Sequence, residues 1–234
     1  MNVGFLFLND ACHTGVLFQR GYLMSAQFQR YRPINPPMPD YVRANANATA
    51  QIKYLWIGCI DNHALPTTLM GIPNHEILVY KNLAHQINHT DLNCLSMLQY
   101  AFQILGVKQV IVCGHYDCNL LESEAQSPAL ELIESWLHPL YQTRQKYHHH
   151  LQVFQSPALR RHKLCELNVI EQVIQLARTT VVQSRWQQHQ NLTLQGWVYA
   201  PDDNVVHDLA IDIAAEADIM PAYRTAVLNS IGIF

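Results

Sequence analysis

Charge is what this sequence has least of. Only 14% of its 234 residues are Asp, Glu, Lys or Arg, against about 25% in an ordinary globular chain. The 15 basic residues do not outnumber the 18 acidic ones, and the net charge is -3. A protein that binds nucleic acid through phosphates needs a basic excess or stripe, and none is present. No apolar run approaches the roughly 20 residues of a membrane-spanning helix. The apolar start at Val3–Leu8 lacks the basic flank of a secretory signal and meets Asp10 and His13 at once. The expected setting is cytoplasmic, with neither nucleic acid nor membrane as a partner. Gly-rich phosphate loops, the G-x-S-x-G elbow and paired glycosidase carboxylates are missing as well. Disorder is excluded from the opposite side, because 49% of the residues are hydrophobic. With charge scarce, Asn, Gln and 13 His carry much of the polar role. The surface is then either weakly charged or covered in an oligomer.

Six cysteines are present, Cys12, Cys59, Cys94, Cys113, Cys118 and Cys165. A chain of this length builds its core without staples, so they read as reduced thiols, some in packing and some available to a metal. Residues 1–50 read as an irregular N-terminal arm, because the stretch from Arg32 to Asp40 carries Pro33, Pro36, Pro37 and Pro39 and cannot be helical. Residues 51–234 read as one α/β domain. Short apolar runs at Tyr54–Cys59, Ile77–Tyr80 and Gln109–Gly114 have strand length and composition. Between the last two, Leu92, Leu95, Leu98, Phe102 and Leu105 recur at helical spacing, with Thr90 as the expected N-cap and Gly106 past the end. Uninterrupted apolar strands around a crossover helix predict a mostly parallel central sheet flanked by helices. Further helices are expected from Ala129 to about Leu151, kinked at Pro139, and from about Leu164 to Gln190. A final strand pair is expected at Leu192–Tyr199 and Asn204–Leu209.

The chemistry-bearing residues cluster after two of these strands. Cys59-Ile60-Asp61-Asn62-His63 follows the first, and Gly114-His115-Tyr116-Asp117-Cys118 the third. Carboxyl ends of parallel strands form the functional crevice of α/β sheets. Two thiolates and an imidazole there match the Cys2His set of a catalytic zinc with one position open. The spacing alone also fits a core thiol and a turn histidine.

From about Tyr54 to Leu209 the chain resembles the β-class carbonic anhydrases of the bacterial type. The family's C-x-D-S-R and H-x-x-C motifs align with Cys59/Asp61 and His115/Cys118. Blocks at His89–Tyr100, Leu164–Val173 and Gly196–Tyr199 extend the similarity. The resemblance implies a Zn2+ enzyme that interconverts CO2 and bicarbonate and assembles as a homodimer or dimer of dimers. It implies Cys59, His115 and Cys118 as ligands and Asp61 as the carboxylate that orients the nucleophile or closes onto the metal. A non-catalytic bicarbonate pocket, made in some relatives by Trp, Arg and Tyr, falls on Trp56, Lys81 and Tyr199.

Several positions depart from the family. The Arg that pairs with Asp61 is His63, the intervening Ser is Asn62, and the two glycines after the second zinc cysteine are Asn119 and Leu120. His63, protonated, would imitate the Arg; neutral, it would leave Asp61 free to become a fourth ligand. Weak or conditional CO2 hydration is the expectation. Two other readings are a non-catalytic zinc protein on the same scaffold, bicarbonate-responsive or subunit-binding, and a zinc hydrolase of CS2 or COS.

Overall fold

The computed structural model describes residues 52–122 and 131–232; the expected N-terminal arm, with Cys12, lies outside them. Strand β1 (Tyr54–Cys59) is apolar throughout and its last five residues are buried. It pairs in parallel with β2 (Ile77–Asn82) on one side and β3 (Gln109–His115) on the other. β3 pairs in parallel with β4 (Thr193–Ala200), and β5 (Val205–Ile213) closes the edge antiparallel to β4. Among the described residues the strand order is β2-β1-β3-β4-β5. This is the mostly parallel sheet expected of the sequence.

Period-two alternation divides the side chains between two cores. Leu55, Ile57 and Cys59 enter the larger cluster with Val110 and Val112, whereas Trp56 joins Ile77, Ile111, Cys113 and Tyr199 on the opposite face. The larger cluster is covered chiefly by one helix, Pro157–Ala177, whose buried residues include Cys165, Val169 and Val173. Two glycines let it approach. A Cβ at Gly114 would lie 2.7 Å from Val169 Cγ2, and one at Gly196 3.1 Å from Val169 Cγ1.

The helices depart from the sequence expectation at their ends. In chain order they are α1 (Pro66–Met70), α2 (Leu92–Gln99), α3 (Asn119–Glu122), α4 (Glu131–Lys146), α5 (His148–Gln152), α6 (Pro157–Ala177), α7 (Thr180–Gln187) and α8 (Ile219–Ile231). The N-cap of α2 is Asp91, which accepts from the Asn93 N–H at 3.0 Å, while Thr90 bonds the Asn88 side chain. A wider turn at Tyr100–Ile104 continues α2 to Gly106, whose φ of +69° ends it. Leu92, expected on the buried face, is 77% exposed. Pro139 lies inside α4, and the helical region expected to run on to Leu151 is divided at Tyr147. α6 starts at Pro157 rather than near Leu164. Ser156 caps it, and proline at the first helical position gives up no needed N–H.

Candidate metal centre

β1 and β3 run side by side and end together, so Cys59 and His115 emerge at the same carboxyl edge. The chain then turns through Tyr116 and Asp117 to bring Cys118 back under Cys59. Asp117 sits at φ +56°, a left-handed conformation that Asp tolerates better than most residues. Its carboxylate faces His162 Nε2 at 3.5 Å.

The ligand atoms of Cys59, His115 and Cys118 all lie within 4.8 Å of one another, and all three residues are buried. The two sulfurs are 3.8 Å apart. That is the edge of a tetrahedron whose vertices stand about 2.3 Å from its centre, the usual zinc–sulfur distance. His115 Nδ1 faces the Tyr116 carbonyl at 3.0 Å. A carbonyl only accepts, so Nδ1 carries the proton and Nε2 keeps its lone pair. Nε2 is buried without a hydrogen-bond partner. A buried nitrogen, two thiols at tetrahedral spacing and a fixed tautomer fit a zinc ion.

Electrostatics separate the two thiols. Cys59 is held far below the usual thiol range, first by its hydrogen bond with Cys118 and then by the neighbouring His115 and His85 rings, all against burial. Cys118 is pushed up, first by the hydrogen bond with Cys59 and then by burial. The remaining described thiols are plain core groups. Burial pushes Cys94 up to about 12 and raises Cys113 and Cys165 as well. Cys165 Sγ donates to the His115 carbonyl at 3.1 Å, which braces the ligand's backbone. Tyr116 braces it from the other side. Its hydroxyl donates to Glu166 at 2.9 Å, and Glu166 also receives Lys163 at 2.9 Å and Ser230 at 2.8 Å.

Asp61 stands at the rim, with Oδ2 4.0 Å from His115 Nε2. Asn119 holds it, through the backbone N–H at 3.0 Å and the side-chain amide at 3.2 Å from Oδ2. His63 is exposed, in a turn where Asn62 Oδ1 accepts from the Ala64 N–H at 2.9 Å. No described hydrogen bond or ion pair joins His63 to Asp61. Asn119, which stands where a glycine is usual, is therefore Asp61's partner at the start of α3. Leu120 packs against the larger core.

Trp56 and Tyr199 share the smaller core, and Lys81 borders it near Gly58. The Lys81 ammonium donates to the Asn62 carbonyl at 2.6 Å, and the Tyr199 hydroxyl to Asn204 at 2.9 Å. Sequence reading missed His85, which is buried and approaches Cys59 from the loop after β2. Nothing in the local pattern marks it, since its placement depends on the left-handed Ala84 (φ +57°) and on its own φ of +47°.

Known proteins carry the same frame. The family described as "Carbonic anhydrase" matches residues 54–206. A carbonic anhydrase of Emericella nidulans is 31% identical over 173 residues, covering 74% of this chain and 76% of its own. A Coccomyxa β-carbonic anhydrase, solved in complex with acetazolamide, matches with a TM-score of 0.68 at 25% identity, covering 92% of this chain and 95% of its own. A tetrameric β-carbonic anhydrase of Sordaria macrospora shares the fold, with a TM-score of 0.68 at 23% identity over 83% of this chain and 95% of its own.

Proposed function

The chain belongs to the carbonic anhydrase family, in its β class, and from that premise we propose that it hydrates CO2 reversibly to bicarbonate at a zinc ion held by Cys59, His115 and Cys118. The observation that carries this is the buried, partnerless His115 Nε2 converging with two sulfurs 3.8 Å apart. Zinc bound there supplies the Lewis acidity that brings ionisation of a water into the neutral range.

The chain's own groups do the rest. Cys59 and Cys118 bring two negative charges, which make a softer and weaker Lewis acid than neutral imidazoles would. The carboxylate that orients the attacking water therefore matters more, and Asp61 fills that role. Asn119 keeps it facing the ligands with two donors. Both donors are uncharged, so this grip does not depend on protonation of His63. Against the non-catalytic reading stands an Asp61 whose carboxylate Asn119 already holds. The CS2 or COS reading has no support in the relatives, which are named carbonic anhydrases.

Assembly as a homodimer or dimer of dimers is part of the proposal, supported by the tetrameric Sordaria structure. Exposed apolar side chains such as Val79 on the edge strand β2, 42% exposed, are available to such contacts. No helix among the described residues is long and apolar enough to cross a membrane. A cytoplasmic setting is supported by five described cysteines that are all unpaired.

The test is stopped-flow CO2 hydration by the zinc-loaded protein. Activity that disappears in Cys118→Ser together with the zinc supports the proposal. A zinc-replete wild type with no hydration above buffer would refute it.

A further inference from the structure

Beside the metal centre runs a hydrogen-bond chain whose orientation is set by two backbone groups. The Ile87 N–H donates to Gln172 Oε1 at 2.8 Å, which leaves Gln172 Nε2 to donate to Asn168 Oδ1 at 3.3 Å. Gln86 Nε2 donates to the same oxygen at 3.2 Å. Asn168 then turns Nδ2 toward the Ala84 carbonyl at 3.2 Å and His85 Nε2 at 2.9 Å. Ala84 O can only accept, so Nδ2 is the donor in both bonds. A ring nitrogen that accepts carries no proton. His85 is consequently neutral, with its single proton on Nδ1.

Nδ1 is buried and makes no conventional hydrogen bond. The ring lies over Gly114, with Cε1 3.3 Å from the position a Cβ would take there. Gly114 follows Cys113, the register partner of Gly58, and so sits beside Cys59 on the adjacent strand. Ala84 and Cys59 belong to the same buried cluster. Two successive non-glycine residues in the left-handed region, Ala84 and His85, hold the ring in this place.

We propose that His85 is a positioning residue of the metal centre, holding its Nδ1–H toward the Cys59 sulfur and forming an N–H···S hydrogen bond to the ligating thiolate. The bond fixes the direction of the sulfur lone pairs and draws charge from them. A site with two thiolates thereby recovers part of the Lewis acidity that their charge removes. Asn168, Gln172 and the Ile87 N–H set the tautomer from a distance. The inference rests on Cys59 being a metal ligand.

The zinc-loaded protein, labelled with 15N, tests the tautomer directly by imidazole NMR. His85 is expected with Nδ1 protonated and Nε2 bare; the reverse tautomer would overturn the inference. Cobalt substitution supplies the second readout, through the thiolate-to-metal charge-transfer band. In His85→Leu that band moves to lower energy, and zinc affinity falls about 10- to 100-fold. Asn168→Asp turns an acceptor toward Nε2, draws the proton there, and gives the same band shift with the ring still in place. A band unmoved in both folded variants sinks the inference while leaving ligation by Cys59 intact. A wild type with no charge-transfer band overturns the metal-centre reading and this inference with it. Should neither variant fold, the wild-type tautomer alone decides.

Discussion

Asn119 grips Asp61 twice, with its backbone N–H 3.0 Å from Oδ2 and its side-chain amide 3.2 Å from the same oxygen. The grip places the carboxylate 4.0 Å from His115 Nε2 without using a cation. His63 is exposed, and no described hydrogen bond or ion pair joins it to Asp61.

Removing the carboxylate charge should be far more damaging than altering His63. In Asp61→Asn, CO2 hydration is expected to fall about 100-fold or more, the ordinary weight of a positioned acid–base group, with zinc content unchanged. Asn119→Ala keeps the backbone donor and should lose about tenfold, consistent with one hydrogen bond to a charged group. His63→Arg should leave the rate where it was. Stopped-flow rates beside zinc analysis of each variant check all three.

Zinc uptake should release one thiol proton rather than two. Cys59 is lowered and already ionised near neutral pH, whereas Cys118 is raised and still protonated. Below the raised Cys118 value, zinc affinity should rise about tenfold per pH unit. Above it the thiol is ionised beforehand and the dependence flattens. Chelator competition across pH, with proton release measured by calorimetry in buffers of differing ionisation enthalpy, gives the count. A hundredfold rise per unit would mean that both thiols are protonated in the metal-free chain.

Gly114→Ala should destabilise the fold by about 1–3 kcal/mol, the usual penalty for overpacking. The new methyl would stand 2.7 Å from Val169 Cγ2 and 3.0 Å from Cys165 Sγ. Adding Val169→Ala should recover part of the loss, because the two sites touch and their effects cannot add. Urea denaturation of the single and double variants measures the coupling.

Bicarbonate should not bind at Trp56, Lys81 and Tyr199. Lys81 and Tyr199 already direct their polar groups at Asn62 and Asn204, and Trp56 is 1% exposed within the smaller core. Lys81→Ala should therefore leave the bicarbonate dependence of the rate unchanged. Relief of inhibition in that variant would establish the pocket.

β1 and β3 were the most legible strands because each is built on a short apolar run that is almost wholly buried, and a parallel strand buried on both faces admits little else. The helix ends were less legible. The cap of α2 depends on which of Thr90 and Asp91 meets a free N–H, and Asn88 draws Thr90 away. The helix over Ile219–Ile231 escaped notice. Its buried residues, Ile219, Ala226 and Ser230, are few, and one of them is polar, turned to Glu166 on α6.

By itself the sequence determined the sheet, the strand ends that carry Cys59, His115 and Cys118, and the chemistry that such a donor set permits. Residue type and local spacing settle those, because a thiol after a strand lands at the strand's edge whatever lies beyond it. Only the tertiary structure decided which neighbours complete the site. Asn119 reaches Asp61 across 58 positions of chain, and Asn168 orients His85 across 83. Such pairings arise from the crossing of β1, β3 and α6, and hydrogen-bond direction is a property of the assembled network. The scarcity of charge in the composition thus has a local counterpart, in a carboxylate held at the metal site by amides alone.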